Sequence, residues 1–484
     1  LLSAALWASH PIQVPAVTYI VQRMAALAAL FTLLSLYAYV QARTTRSRPA
    51  LGGWTAACVL AGALAVASKE NAAMLPVNLV LVEIFVLGEQ GRRNRRINNG
   101  VLFGIAAFLV LSAGFLFTDL ERLLAGYESR PFSLGQRLLT EPRVFLFYVS
   151  QLLYPASHRF TMLHDIQAST GLLAPWTTLP AVLLTAALPA AAWLLRKKIP
   201  LVAFSLLFFW INHLIEGTVI PLELVFEHRN HLPSLFFFLP AAMAFVYLMQ
   251  RYGVRHMLGA AAALLLAVWL TAQGHTVFMR NEIFGHPILL WQDNAVKAPG
   301  LHRPHHNLGN AHLAFGSPEK GVQALQAALS KRVGGRFDQK FKTHYNLGLY
   351  HLSRKDSIRA AAHFQKALNM APGNGRALFG MACAMILDGD FQAAAPYAVG
   401  AVRADPNHQE ALLALGWIRL RQADVPAAKV LAVASLRAEP ASRLPFFALG
   451  EAMRMEGRHK RALHYFRMYR RGFPEDLNVL AAMI

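Results

Sequence analysis

Cysteine and acidic residues are both scarce in this 484-residue sequence. The two cysteines, Cys58 and Cys383, show no metal-ligand spacing and are too few for a disulfide framework, so we expect two free, buried thiols. Only 15% of the residues are charged, and 26 Asp and Glu residues stand against 47 Lys and Arg residues. Soluble domains carry about 25% charged residues, so this composition argues against a wholly soluble protein.

Long apolar runs take the place of the missing charges. Hydrophobic residues make up 55% of the chain, and the mean hydropathy is +0.35. Runs such as MAALAALFTLLSLYAYV approach the roughly 20 apolar residues that a membrane-spanning helix needs. The sequence therefore predicts a polytopic membrane domain over residues 1–275 with about nine spans. A partial first span precedes spans near residues 18–41, 51–68, 71–88, 99–118, 175–195, 199–216, 233–250 and 256–274.

Basic residues cluster in short connections between these runs, as in RRNRR at residues 92–96 and RKK at residues 196–198. Such clusters hold loops in the cytoplasm, so the net charge of +21 does not indicate nucleic acid binding. The remaining loops, and all residues after 275, are then expected on the other side. The run VFLFYVSQLLYP at residues 144–155 is too short to span and predicts an interfacial or re-entrant helix.

A 34-residue period follows a predicted linker at residues 276–301. It is visible in three sets of positions: Gly348, Ala382, Gly416 and Gly450; Ala360, Ala394, Ala428 and Ala462; and Pro372, Pro406, Pro440 and Pro474. This is the tetratricopeptide period, in which a small residue packs the first helix of each unit against the second. The pattern predicts about five units over residues 302–484. The expected fold class is all-α, with a transmembrane helix bundle followed by an α-solenoid.

The predicted solenoid has two interpretations. Its concave face is of the kind that binds an extended peptide or another protein, or it serves as a scaffold for assembly. Its excess of positive charge favours acidic partners or phosphate headgroups, although a solvated surface explains the same charge.

Polar residues on the predicted non-cytoplasmic side are the candidate functional residues. Carboxylates suit a general base acting on a hydroxyl group, whereas Arg, Lys and His suit a phosphate leaving group. An ordinary polar loop would account for any one of them alone. No metal site is expected, since the histidines form no ligand pattern such as H-E-x-x-H. The candidates for a cavity or a lipid-phosphate site are His10, Lys69, Glu70, His164, Asp165, Glu227, His228 and Arg229.

The segments HPIQVPAVTYIVQRMAALAALF, SKENAAMLPVNLVLVEI, HDI and VIPLELVFEHRNHLPS, followed by the repeats, suggest a known family. The chain resembles the bacterial relatives of the transmembrane and tetratricopeptide-repeat O-mannosyltransferases, which are GT-C membrane glycosyltransferases. The resemblance implies transfer of a sugar from a polyprenyl-phosphate carrier to Ser or Thr hydroxyls of a protein. It also implies a bacterial inner-membrane location with the repeats in the periplasm, a lipid donor and a protein acceptor as partners, and no tightly bound cofactor.

By the same resemblance, Lys69 and Arg229 are expected to bind the lipid phosphate. The expected cavity-lining residues are His10, Glu70, Glu227 and His228. The family's acidic catalytic residues belong to an outer loop ahead of the segment where this chain begins, so we expect them upstream of Leu1. Val14 and Pro15 stand where the family commonly has Thr-Glu, which removes one carboxylate from this loop.

Two other functions fit the same sequence. One is an oligosaccharide ligase that acts on pilin or glycan acceptors and uses the repeats for assembly. The other is a non-enzymatic, membrane-anchored assembly scaffold, for which so many spans would be more than an anchor requires.

Overall fold

The computed structural model describes residues 1–88, 120–333 and 339–475. Helices dominate these ranges, which contain no β-strand; an isolated bridge joins Gly171 and Ala174. The all-α class predicted from the sequence is confirmed. The chain divides into two compact units, and the boundary falls between Pro304 and His305.

Twelve α-helices are described in the first unit, and short 3-10 turns join several of them. They are α1 (Leu2–Ala8), α2 (Val14–Thr18), α3 (Arg23–Thr44), α4 (Arg48–Ser68), α5 (Leu75–Leu81), α6 (Leu120–Gly126), α7 (Leu134–Leu153), α8 (Thr178–Leu195), α9 (Pro200–Asn212), α10 (Leu239–Tyr252), α11 (Met257–Gly285) and α12 (Pro287–Lys297).

Six helical segments in the described ranges are long and apolar enough to cross a membrane, judged by length and composition. They are Ile20–Thr44, Arg48–Ser68, Glu70–Leu87, Thr178–Leu195, Pro233–Tyr252 and Met257–Gly285. Each overlaps one of the spans predicted from the sequence. The predicted span at 99–118 lies outside the described residues.

Large apolar side chains on these helices point away from the protein interior. Leu60 on α4, Leu183 on α8 and Leu265 on α11 are 63%, 61% and 69% exposed. Removing such side chains from water is favourable, by roughly 25 cal/mol for each Å² of apolar surface. Contiguous exposed apolar surface on a folded unit indicates a surface that is covered by another apolar phase or partner.

At two places the helix in the structure has another length than the sequence predicted. The predicted span at 199–216 is a helix of 13 residues that ends at Asn212, which at 1.5 Å per residue is about 20 Å long and too short for the bilayer core. The predicted short helix at 144–155 is the C-terminal part of α7, a helix of 20 residues. Helix α7 begins earlier because Ser133 and Gln136 form a capping box at its N-terminus.

Polar contacts connect the apolar helices inside the first unit. Arg43 of α3 donates to Glu83 at 2.5 Å, and Tyr39 donates to the same carboxylate at 2.8 Å. Asn78 and Asn212 exchange two amide hydrogen bonds of 2.9 Å. These side chains thereby satisfy one another's hydrogen-bonding groups among the apolar helices, as buried polar groups must.

The predicted linker, residues 276–301, is largely helical. The end of α11 and the whole of α12 fall in it, and both belong to the first unit. The two cysteines are free. Cys58 is buried as expected, whereas Cys383 is only partly buried, which corrects the prediction of two buried thiols.

Ten helices in the described residues between His302 and Arg470 form five helical hairpins. They are α13 (His302–Phe315), α14 (Pro318–Leu329), α15 (Gln339–Ser353), α16 (Ser357–Met370), α17 (Gly375–Leu387), α18 (Phe391–Ala404), α19 (Gln409–Arg421), α20 (Val425–Ala438), α21 (Leu444–Met455) and α22 (His459–Arg470).

The predicted repeat positions form the core of these hairpins. Ala360, Ala394, Ala428 and Ala462 are all buried. Phe364 fills the space that the missing side chains of two glycines leave: a Cβ atom on Gly348 or Gly380 would stand 2.7 or 2.5 Å from its ring. The small residues are therefore required by close helix packing.

The turn inside each of the last four hairpins also follows the 34-residue period. A residue with positive φ ends the first helix, at Lys355, Gly389, Ala423 and Gly457. In three hairpins the next residue is an aspartate, Asp356, Asp390 or Asp424, whose carboxylate accepts a hydrogen bond from the backbone N–H three residues later. These caps satisfy the free N–H groups at the start of the second helix.

Candidate functional site

Arg137 organises the loop beside the candidate site. Its side chain is fully buried on α7 and donates to the backbone carbonyls of Glu216, Thr218 and Leu222 at 2.6, 2.9 and 2.5 Å. Its Nη2 atom also lies 2.7 Å from the carboxylate of Glu141, one turn further along the helix. One guanidinium group thus fixes the loop that follows α9 against α7.

A cavity of about 180 Å³ lies between α7, α9 and this loop. Aromatic side chains form much of its wall, namely Phe145, Tyr148 and Trp210. Four ionisable side chains also border it, namely Glu141, His213, Glu216 and Arg229. A mostly apolar concave site with a few convergent polar groups is the usual form of a ligand-binding site.

Arg229 is the unusual group of this cavity. It is only 4% exposed, and its Nη1 atom donates to the backbone carbonyl of Glu223 at 2.7 Å. Its guanidinium group lies 5.2 Å from the ring centroid of Phe226. No carboxylate among the described residues forms an ion pair with it. A buried cation without a counter-ion is costly, so this position suits an anionic ligand.

Glu141 lies on the same cavity and is buried. Burial raises the pKa of its carboxyl group to about 7, although Arg137 and Arg229 act in the opposite direction. The carboxyl group therefore changes charge near neutral pH, which makes the net charge of the cavity sensitive to pH.

Lys69 is buried and pairs with Glu216 through a contact of 2.6 Å between Nζ and Oε1. Glu216 borders the cavity, whereas Lys69 stands behind it. Because its charge is already compensated, Lys69 is less suited than Arg229 to the phosphate role expected from the sequence. Glu70, the next residue, is exposed and does not border the cavity.

Glu227 joins three separate segments. Its carboxylate accepts hydrogen bonds from the backbone N–H of Thr161 at 2.8 Å and from Arg280 at 2.6 Å, and it contacts Nε2 of His164 at 3.0 Å. Burial alone would raise its pKa, but Arg280 and His164 lower the pKa to about 2. A carboxylate held in this way is a permanent anion with all its partners in the protein, so its role in the structure is to link these segments.

His10 is fully buried and neutral. Its Nδ1 atom accepts from the backbone N–H of Ile12 at 3.2 Å, which leaves Nε2 to donate to the carbonyl of Leu152 at 3.1 Å. Burial lowers its pKa to about 3. His228 stacks on Phe226 with ring centroids 5.1 Å apart, and burial, Lys69 and Arg229 lower its pKa to about 3. Both imidazoles are therefore uncharged at neutral pH.

Asp165 is exposed and borders a second, open cleft of about 460 Å³ on another face of α7. Arg143, Phe147 and Ser150 line the same cleft. His164, its neighbour in sequence, turns inward to Glu227.

The candidates from the sequence thus divide into separate places. Arg229 borders the aromatic cavity, while Glu227 and His164 form a linking cluster and Asp165 faces the open cleft. Sequence reasoning did not select Arg137 or Glu141. The signal available was their spacing of four residues in LGQRLLTEPRVF, which places both side chains on one face of a helix. Within the described residues, no group of three or more His, Cys, Asp or Glu side chains is arranged to hold a metal ion.

Comparison with known proteins identifies the repeats. A tetratricopeptide repeat family model matches residues 306–375 and 388–434. No curated protein sequence matches the chain significantly. The tetratricopeptide prediction is confirmed for the second unit, while the resemblance to glycosyltransferases stays a prediction.

Several solved structures are similar to part of the chain. YrrB, described as a tetratricopeptide protein with an unusual peptide-binding site, is 18% identical, with 40% of this chain and 96% of that chain covered and a TM-score of 0.34. MamA from Desulfovibrio magneticus is 19% identical; the match covers 36% of this chain and 97% of MamA, with a TM-score of 0.32. PilF from Pseudomonas aeruginosa is 12% identical, with 46% and 95% covered and a TM-score of 0.35.

Proposed function

We propose that the protein is an integral-membrane glycosyltransferase that moves a sugar from a polyprenyl-phosphate carrier to Ser or Thr hydroxyls of a protein. The observation that carries the proposal is the buried, unpaired guanidinium group of Arg229 at the edge of an aromatic cavity. Guanidinium groups bind phosphate oxygens through parallel hydrogen bonds, more strongly than neutral donors do. The exposed apolar faces of α4, α8 and α11 would be covered by a membrane. A polyprenyl chain is soluble in the same membrane.

In this reaction the acceptor hydroxyl attacks the anomeric carbon of the sugar. The bond from that carbon to the phosphate oxygen breaks, the hydroxyl proton passes to a base, and the carrier phosphate leaves with an added negative charge. Arg229 would stabilise that charge, which is the largest electrostatic demand of the transfer. Arg137 would act indirectly, because it holds the loop between Glu216 and Leu222 that forms one wall of the cavity.

The second unit would bind the protein partner. Its tetratricopeptide hairpins are of a type that presents extended surfaces for protein–protein interaction. In the proposed enzyme this partner is the acceptor, which the repeats would hold close to the membrane for the length of the reaction.

A non-enzymatic assembly scaffold is the second candidate function. The family match within the repeats favours it, because protein binding by the repeats is sufficient for a scaffold. The linking roles of Glu227 and His10 also favour it, since both side chains have structural partners that account for their presence. In this case the first unit would be an anchor and the cavity would hold no substrate.

Glycopeptide mass spectrometry of envelope proteins separates the two functions. It would compare cells that carry the full-length gene intact, deleted, or with Arg229→Ala, Arg229→Lys or Arg303→Ala. Arg303 is an exposed arginine of the same unit and serves as the control. Membrane abundance of each variant would be measured in parallel by immunoblot.

The transferase predicts loss of one sugar mass from defined Ser or Thr peptides in the deletion and Arg229→Ala strains. It also predicts partial recovery with Arg229→Lys and no loss with Arg303→Ala. An unchanged glycoproteome in the deletion strain, together with loss of an envelope assembly, would establish the scaffold instead.

A further inference from the structure

The last described helix, α22, carries far more positive charge than the corresponding helices α16, α18 and α20. Four of its 12 residues are Lys or Arg, and Arg471 follows directly. The corresponding helices α16, α18 and α20 have at most two each. Residues 457–474 contain no acidic residue at all.

Some of the basic residues of α22, together with Arg471, form one stripe, while Arg461 and Arg470 lie on its two flanks, about 100° and 80° from Lys460 around the helix. Lys460, His464, Arg467 and Arg471 are spaced by four, three and four residues, so at 100° per residue they lie within about 60° of one another around the helix. We call these four residues the basic ridge. All four are exposed, and the ridge is about 16 Å long at 1.5 Å per residue. The opposite side of the helix packs into the hairpin core through Ala462, Phe466 and Tyr469.

Nothing in the described part of the chain neutralises the ridge. No carboxylate forms an ion pair with Lys460, Arg467 or Arg471. The nearest preceding acid, Glu456, is engaged by Lys429 and by Arg458. An exposed helix face needs polar groups for solubility, but mixed charges meet that need without the mutual repulsion of one sign. A single-sign ridge therefore calls for an external anion.

We propose that the basic ridge binds an anionic phospholipid surface. A straight row of basic residues along an exposed helix face matches a plane of headgroup phosphates better than it matches one small ligand. Each Lys or Arg near such a surface contributes attraction that ends within a Debye length, so the row must lie flat on it. If the first unit is embedded in a membrane as proposed above, the covalent link also keeps the ridge at high local concentration near headgroups. Binding by the ridge does not depend on sugar transfer.

Vesicle flotation with the full chain tests the proposal. The protein would be reconstituted in phosphatidylcholine nanodiscs, so that its apolar helices are covered, and mixed with vesicles of phosphatidylcholine alone or with 30 mol% phosphatidylglycerol. We expect recovery with the anionic vesicles at 50 mM salt and a fall of tenfold or more in apparent affinity at 300 mM salt. The variant Lys460→Glu/Arg467→Glu should lose at least tenfold in affinity.

The matched control is Arg403→Glu/Arg437→Glu, which reverses two exposed arginines on the corresponding helices α18 and α20. It should bind the anionic vesicles as the unchanged chain does, and circular dichroism should show that both variants keep their helix content. Equal recovery with neutral vesicles, or equal affinity of the two double variants, would overturn the proposal. Tighter binding to soluble polyglutamate than to the vesicles, at equal charge concentration, would assign the ridge to an acidic protein and also overturn it.

Discussion

The Nη2 atom of Arg280 on α11 lies 2.6 Å from Oε2 of Glu227, and both side chains are buried. Glu227 also accepts from the N–H of Thr161, so one carboxylate joins α11 to two loops of the first unit. The attraction within a buried ion pair mostly offsets its desolvation, but the loss of one partner leaves the other charged and unpaired. This relationship makes Glu227 a critical residue for folding whether or not the protein is an enzyme.

Glu227→Gln should therefore destabilise the protein by about 3–5 kcal/mol, because it leaves Arg280 buried without an anion. Thermal denaturation of the full chain in neutral detergent measures the loss. The control is Glu223→Gln, since Glu223 is partly exposed and its pair with Arg130 at 3.1 Å should contribute less than about 1 kcal/mol. Equal melting temperatures for the two variants would contradict the assigned role of Glu227.

The stability that Glu227 contributes should also depend on pH in a defined direction. Its pKa in the folded protein is lowered to about 2 from an ordinary value of 4.5. The contribution is thus fully present above pH 4.5 and is lost as the pH falls from there through about 2. The difference in melting temperature between the unchanged chain and Glu227→Gln should be constant from pH 8 to 5 and shrink below 4.5. A difference that changes most between pH 6 and 8 would exclude this carboxyl group as its source.

Glu141 should make anion binding at the cavity pH-dependent. Its pKa is raised to about 7, so the carboxyl group is mostly neutral at pH 6 and mostly charged at pH 8. We expect the affinity for a sugar-linked prenyl phosphate to fall by about fivefold over this range, if ligand binding shifts the pKa of Glu141 by one unit. Titration calorimetry in detergent, with this diester as ligand because its phosphate has no second ionisation, provides the measurement. Glu141→Gln should bind with the same affinity at both pH values, and an unchanged slope in this variant would refute the assignment.

Gly380→Ala should destabilise the repeat unit. The added Cβ atom would stand 2.5 Å from the ring of Phe364, and overpacking of this kind costs about 1–3 kcal/mol. Alanine's better helix propensity recovers up to about 1 kcal/mol, so we expect a net loss of about 1–2 kcal/mol. Urea denaturation, monitored by hydrogen exchange of residues 339–404, would measure the loss of stability. Gly373→Ala is the control, because no atom lies within 4 Å of its added Cβ, and it should change stability by less than about 0.5 kcal/mol.

Ala423→Gly should stabilise the fourth hairpin. Ala423 has a φ of 60°. The equivalent positions of two other hairpins also have a positive φ and are occupied by glycine, at Gly389 and Gly457. Relief of this strain, less the entropy cost of glycine, should give about 0.5–1 kcal/mol. Ala434→Gly in the interior of α20 is the opposite control and should lose about 1 kcal/mol. Hydrogen exchange of residues 409–438 would report both changes, and destabilisation by Ala423→Gly would contradict the argument.

The repeat unit could be predicted almost completely from the sequence, whereas the candidate site could not. Gly348 and Phe364 pack against each other between the two helices of one hairpin. Packing of this local kind recurs in each hairpin with the period of the sequence. Arg137 acts on carbonyls about 80 residues away, between Glu216 and Leu222, and no local pattern encodes that contact. The sequence also placed both Lys69 and Glu70 at the site, whereas in the structure Lys69 is buried and Glu70 is exposed.

The sequence by itself determined the helical class, the apolar helices and the 34-residue period, because hydrophobic patterning and small residues act over one or two helical turns. Only the tertiary structure decided which charges meet. It gave Glu227 a full set of partners, paired Lys69 with Glu216, and left Arg229 at the edge of a cavity with no carboxylate of the described residues in ion-pair contact. The physical reason is that the role of a buried charge depends on its desolvation and on its counter-ions, and in this protein those counter-ions come from distant parts of the chain.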